Sequence, residues 1–118
     1  MRQLIGAIFA CGMFLNGAVL AEDIWQPLKG DAATTALSGH ILGYPNGATQ
    51  SFSPGGDTAY DSGHLQPGRW RIEDDKYCSV WPPSDQWACY RLEQSQDGKA
   101  VRFIAEDGNS TEGRFVDN

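Results

Sequence analysis

The stretch Lys76-Tyr77-Cys78-Ser79-Val80-Trp81, followed after Pro82 to Asp85 by Gln86-Trp87-Ala88-Cys89-Tyr90-Arg91-Leu92, decides the fold. Each half is a short run of β-forming residues with one cysteine, and the break between them is proline-rich and polar. Pairing Cys78 with Cys89 across an antiparallel ladder sets Tyr77 opposite Tyr90, Ser79 opposite Ala88 and Val80 opposite Trp87, with Pro82 to Asp85 as the loop. Because side chains alternate along a strand, Tyr77, Trp81, Ala88, Tyr90 and Leu92 share one face. Both cysteines, Val80, Trp87, Arg91 and Glu93 share the other. The first face is the better core candidate. A bridge closing a loop of about 12 residues contributes roughly 3 kcal/mol by constraining the unfolded chain.

The same period extends outward. In Gly68-Arg69-Trp70-Arg71-Ile72-Glu73, Trp70 and Ile72 point inward while Arg69, Arg71 and Glu73 face water. Ala100 to Ala105 alternates less cleanly, because Ile104 falls on the Arg102 face, so this strand is expected to be covered on both sides. Turn signals recur throughout, among them Pro45-Asn46-Gly47, Pro54-Gly55-Gly56-Asp57, Asp61-Ser62-Gly63, Pro67-Gly68, Asp97-Gly98 and Asp107-Gly108-Asn109. Gly68-Arg69-Trp70 and Gly113-Arg114-Phe115 read as two similar strand starts. One short helix is expected over Ala32 to Ser38, capped by Asp31 and ended by a left-handed Gly39. The fold class is therefore all-β, a small antiparallel meander forming a barrel or sandwich of lipocalin-like size, with one short N-terminal helix.

The N-terminus reads as a secretory signal peptide over residues 1–21. Arg2 gives the positive region, Leu4 to Leu15 the apolar region, and Val19 and Ala21 the small residues before a cut at Glu22. A membrane anchor would need about 20 apolar residues, whereas Gly12, Asn16 and Gly17 interrupt this run. A lipidation site at Cys11 would follow too short an apolar stretch. Cleavage discards Cys11 and leaves Cys78 and Cys89 as the only thiols in a chain bound for an oxidising compartment, so a structural disulfide is expected over a redox pair. Residues 22–118 form a single β domain, periplasmic or secreted. Losing Arg2 from nine basic residues against fifteen acidic ones takes the net charge from −6 to −7. Such a chain repels nucleic acid and anionic membranes, and no stable membrane insertion is expected after cleavage.

The order Gly39, Phe52 with Pro54-Gly55-Gly56, Gly68-Arg69-Trp70, Cys78-Ser79-Val80-Trp81, Cys89-Tyr90 and Asp107-Gly108 with Gly113 spans most of the mature chain. In this order the chain resembles a family of small exported Gram-negative bacterial proteins classed as a domain of unknown function. A G-x-W strand precedes C-x-x-W, and a second cysteine follows. The resemblance implies periplasmic export and the disulfide, and brings no catalytic residues.

For chemistry, the polar stretch Gly56 to His64 offers Asp57, Asp61 and His64 as the residues of a small hydrolase or metal-dependent enzyme. Their spacing matches no established metal motif, and Asx turns account for both aspartates. Ser62 with His64 lacks a nucleophile elbow. His40 is expected beside the helix C-terminus. Aromatics carry the stronger reading. Tyr77, Trp81, Trp87 and Tyr90 crowd one region, and Trp81-Pro82-Pro83 sets a large ring at a stiff loop, so these four are the candidate ligand-binding residues. The leading expectation is a non-enzymatic, monomeric binding or interaction module of the cell envelope, with the Trp81 to Trp87 loop as contact and no cofactor. The enzyme using Asp57, Asp61 and His64 is the alternative, and a purely structural envelope component is a third.

Overall fold

The computed structural model describes residues 24–116; the expected signal segment 1–21, its cleavage before Glu22 and Cys11 lie outside the described residues. From the N-terminus come β1 (Trp25–Pro27), α1 (Gly30–Leu37), β2 (Ile41–Gly43), β3 (Thr49–Phe52), β4 (Asp57–Asp61), β5 (Leu65–Glu73), β6 (Lys76–Val80), β7 (Ala88–Ser95), β8 (Ala100–Ile104) and β9 (Ser110–Phe115). Strands β2 to β9 pair each with the next, all antiparallel. The ring closes when β9 lies against β2, with Leu42 opposite Phe115 and Gly43 opposite Arg114. The architecture is thus an up-and-down barrel rather than a sandwich, and closure removes the open edges that a flat meander would leave.

The short β1 is an addition to that ring. Strand β7 pairs with β6 only through Tyr90, Cys89 and Ala88. Beyond that point β1 takes over the vacant edge, setting Pro27, Gln26 and Trp25 opposite Glu93, Gln94 and Ser95. Outside the barrel, Arg102 lies 4.4 Å over the Trp25 ring and donates to Glu93 Oε1 at 2.8 Å, which fastens β1 to β8.

The cysteine hairpin has the expected register at its base. Tyr77 opposes Tyr90, Cys78 opposes Cys89 and Ser79 opposes Ala88, and the disulfide is formed. Val80 does not pair with Trp87, however. It pairs with Arg69 of β5, and the connection between β6 and β7 runs over residues 81–87, longer than Pro82 to Asp85. Tyr77 and Leu92 are buried inside the barrel while Arg71, Glu73 and Cys89 face outward, as the alternation requires. On the outer face the Arg71 guanidinium sits 3.9 Å over the Trp87 ring. In β8, Val101 and Phe103 point inward, yet Ala100 and Ile104 on the opposite face are also buried.

Helix α1 differs from its expected limits. It begins at Gly30 with Lys29 at the cap, and Asp31 lies inside the first turn without a capping role. The entry is fixed by packing instead: Leu28 is buried, and its N–H donates to the Leu92 carbonyl at 2.9 Å. A carboxylate in the first turn still favours the helix through its dipole. The expected end holds, with Gly39 at φ 81°, and the His40 N–H donates to the Leu37 carbonyl at 3.0 Å. Ala33 and Leu37, four residues apart on one face, enter the barrel and join Leu28, Leu42, Phe52, Trp70 and Val101 in the core. The helix stoppers one end.

Two further expectations are corrected. Asp57 to Asp61, read as part of a polar stretch with Asx turns at both aspartates, is strand β4, whose Thr58 is buried. Gly68 and Gly113 lie in the middle of β5 and β9, not at strand starts.

Candidate functional site

At the end opposite α1, where the turns 44–48, 62–64, 81–87 and 105–109 cluster, the barrel opens into a cup of about 620 Å³. That volume falls within the usual range for small-molecule sites, roughly 300–1,000 Å³. Its floor is made by Tyr77 and Phe103, whose rings pack 4.8 Å apart between centroids and separate the cup from the dry core around Phe52. Alternation explains why polar groups reach the interior here. Gln50 shares a face with Phe52 on β3, Tyr60 shares one with Thr58 on β4, and Ser79 shares one with Tyr77 on β6.

Gln50 is the hub of this polar layer. It is buried, yet both ends of its amide are engaged: the Tyr44 hydroxyl donates to Oε1 at 2.6 Å, while Nε2 donates to Thr58 Oγ1 at 2.9 Å and to the Tyr77 hydroxyl at 3.2 Å. The Thr58 hydroxyl in turn donates to the Ser51 carbonyl at 2.7 Å. A buried polar layer is tolerable only when its groups are satisfied in this way. Burial pushes the Tyr44 phenol well above its ordinary 10.0, helped by the neighbouring Tyr77 and Tyr60. Burial also raises Tyr77, over the opposing effect of its hydrogen bonds with Ser79 and Gln50. These two hydroxyls are neutral throughout the physiological range.

The rim is aromatic, and two glycines shape it. A Cβ on Gly68 would lie 2.6 Å from Trp81 Cε3 and 2.8 Å from the Val80 carbonyl oxygen, so only glycine lets the indole lie flat on β5. Gly113 plays the same part for Tyr44, whose Cε1 would be 3.0 Å from a Cβ there. Strands β5 and β9 are four apart in the ring, hence on opposite walls. The two ring seats therefore face each other across the mouth. Tyr60 bridges them, 5.9 Å from Tyr44 and 6.5 Å edge-on from Trp81 between centroids. Trp81 Nε1 donates to Ser79 Oγ at 3.2 Å and Asn46 Nδ2 to the Tyr60 hydroxyl at 3.1 Å, which fixes both rings.

Of the four candidate ligand-binding aromatics, Tyr77, Trp81 and Tyr90 line this cup. Trp87 does not; it lies on the outer wall beneath Arg71, 38% exposed. Tyr44, Gln50, Tyr60 and Gln66 also line the cup and escaped the reading of the sequence. The inward glycines Gly68 and Gly113 were the available signal, since a glycine within a strand marks the close approach of another group.

The alternative trio is not brought together. Asp57 and Asp61 sit at opposite ends of β4, about 13 Å apart at strand rise. Asp57 is 3.6 Å from Arg69, and Asp61 accepts the Gly63 N–H at 2.9 Å in an Asx turn. His64 is exposed in the turn after β4. Among the described residues, no group of three or more His, Cys, Asp or Glu side chains is placed to hold a metal ion. No protein-family model matches the chain, and comparison with curated proteins and with solved structures gives no match.

Proposed function

We propose that this protein is an exported, non-enzymatic binding module of the cell envelope, and that its barrel cup holds one small uncharged molecule. The cup itself carries the reading. In a chain of net charge −6, no carboxylate, amine or guanidinium among the described residues lines it, whereas aromatic rings and neutral amide and hydroxyl groups do. Such a surface offers an ion no partner and would leave its charge desolvated at several kcal/mol. It suits a molecule with apolar faces and neutral polar edges.

Export is supported by the leader-like composition of residues 1–21 and by the Cys78–Cys89 bridge, which an oxidising compartment maintains. Among the described residues no helix is long and apolar enough to cross a membrane. The barrel wall carries exposed Arg69, Arg71, Glu73 and Glu112 outward, the inverse of the apolar belt that a lipid-facing barrel presents.

Native mass spectrometry of the oxidised protein, purified gently from the periplasm, tests the reading. A retained uncharged molecule that is lost in Trp81→Ala and kept in Trp87→Ala is expected. A molecule kept in Trp81→Ala would move the site elsewhere. A bare chain, together with a melting temperature unmoved by any uncharged compound, would count against a ligand carrier and favour a protein partner.

A further inference from the structure

The cup pairs a flat apolar plate with several uncommitted neutral hydrogen-bonding groups, and that pairing narrows the ligand class. Resting on the proposed binding role, we infer that the cup is a site for a neutral saccharide of one or two rings, stacked on Trp81 and hydrogen-bonded by Gln66, Tyr60 and Tyr90.

The plate comes first. One face of the Trp81 indole lies against Gly68, and its N–H is bound to Ser79, so the ring is held at a fixed tilt as part of the cup wall. Tyr60 stands nearly perpendicular to it, 82° between ring planes at 6.5 Å between centroids, so it does not stack on the indole, which lines the cup. A fixed aromatic face offered to a cavity takes a flat, weakly polar surface, either another ring or the C–H face of a pyranose.

The polar groups decide between those two. The Gln50, Tyr44, Thr58 and Tyr77 layer is already satisfied internally. Elsewhere in the lining, by contrast, the Gln66 side-chain amide and the Tyr90 hydroxyl have no protein hydrogen bond among the described residues, and the Tyr60 hydroxyl accepts from Asn46 with its own proton uncommitted. An aromatic ligand filling the cup would strip water from these groups and return nothing, at about 1–3 kcal/mol for each. A sugar replaces that water with hydroxyls that both donate and accept. Among the described residues, an acidic or phosphorylated sugar finds no cation in the lining, and an amine finds no anion.

Saturation-transfer NMR on the oxidised protein tests this directly, with glucose, N-acetylglucosamine, maltose and N,N′-diacetylchitobiose at about 10 mM, the weak end of measurable affinity, and with indole as the aromatic probe. Saturation transfer to the C–H face of at least one sugar is expected. Trp81→Ala should weaken it at least about tenfold, the equivalent of one stacking contact, and Tyr90→Phe, which keeps the ring, about fivefold. Trp87→Ala should leave it unchanged. Should Trp81→Ala fail to fold, Tyr90→Phe and Gln66→Ala carry the same test. Indole binding without any sugar binding overturns the saccharide class and leaves the uncharged cup standing. Binding of neither overturns both, and sugar binding indifferent to Tyr90→Phe and Gln66→Ala places the saccharide outside the cup.

Discussion

The two ends of this barrel are built from the same eight strands under the same alternation, and they differ in what fills them. At the stoppered end, Leu28 from the segment just before α1 and Ala33 and Leu37 from α1 enter and pack on Leu42, Phe52 and Trp70. The buried indole N–H of Trp70 finds the Ser53 carbonyl at 2.9 Å, so that end closes dry. At the open end, inward positions hold Gln50, Ser79, Tyr60 and Gln66, and among the described residues no segment covers them. One end is packed with apolar side chains, and the other keeps an open volume lined by neutral groups. A small barrel can afford the cup because the helix and the disulfide stabilise it elsewhere.

That division makes the largest prediction. Phe52→Ala, which removes a fully buried ring touching Trp70 and Tyr77, should cost about 3–5 kcal/mol in denaturant unfolding. Tyr90→Phe in the cup should leave the unfolding midpoint nearly unchanged. Equal costs at both ends would erase the contrast. Next comes the bridge: Cys78→Ser with Cys89→Ser should cost about 3 kcal/mol, read as the same midpoint shift that reductant produces in the parent protein.

The glycine seats give a sharper, smaller test. Gly68→Ala drives a methyl into both Trp81 and the Val80 backbone and should cost about 1–3 kcal/mol. It should also release the indole from its seat, seen as increased quenching of tryptophan fluorescence by acrylamide. Gly113→Ala meets only side-chain atoms, those of Tyr44 and Leu42 at 3.0 Å or more, and should cost less. A Gly113→Ala loss as large as that of Gly68→Ala would show that the Tyr44 ring is held as tightly as Trp81.

The contrast also explains what could be read in the chain before folding. The cysteine hairpin was legible because a covalent link at Cys78 and Cys89 fixes register, and register with alternation fixes faces. Even the outward placement of Trp87 follows from that face. Strand β5 was legible for the same reason, its large apolar and charged residues alternating without exception from Arg69 to Glu73. Strands β3 and β4 were not, because their inward residues Gln50 and Thr58 are polar and a half-polar interior reads as a loop. Ring closure depends on β2 and β9, separated by most of the chain, and local pattern carries no information on that pairing. Most of the cup lies in this second category. Its lining was hidden by that polarity.

The smallest effect separates the satisfied layer from the dry core by pH. Tyr44→Phe deletes one donor to Gln50 and should cost about 1 kcal/mol at neutral pH. Burial raises the Tyr44 and Tyr77 phenols above their ordinary 10.0 in the folded protein, so above that value the unfolded chain holds fewer protons than the native one. The stabilisation from their neutral forms is therefore complete below about pH 10 and falls as pH rises through the folded values. Tyr44→Phe lacks its share of that loss. Its stability curve should decline less steeply above pH 10 and approach the parent curve, while Phe52→Ala, which removes no titratable group, should stay parallel to the parent throughout. Parallel curves for Tyr44→Phe would mean that its hydroxyl is open to water in the folded cup, and would move the boundary between the two ends of the barrel below Gln50.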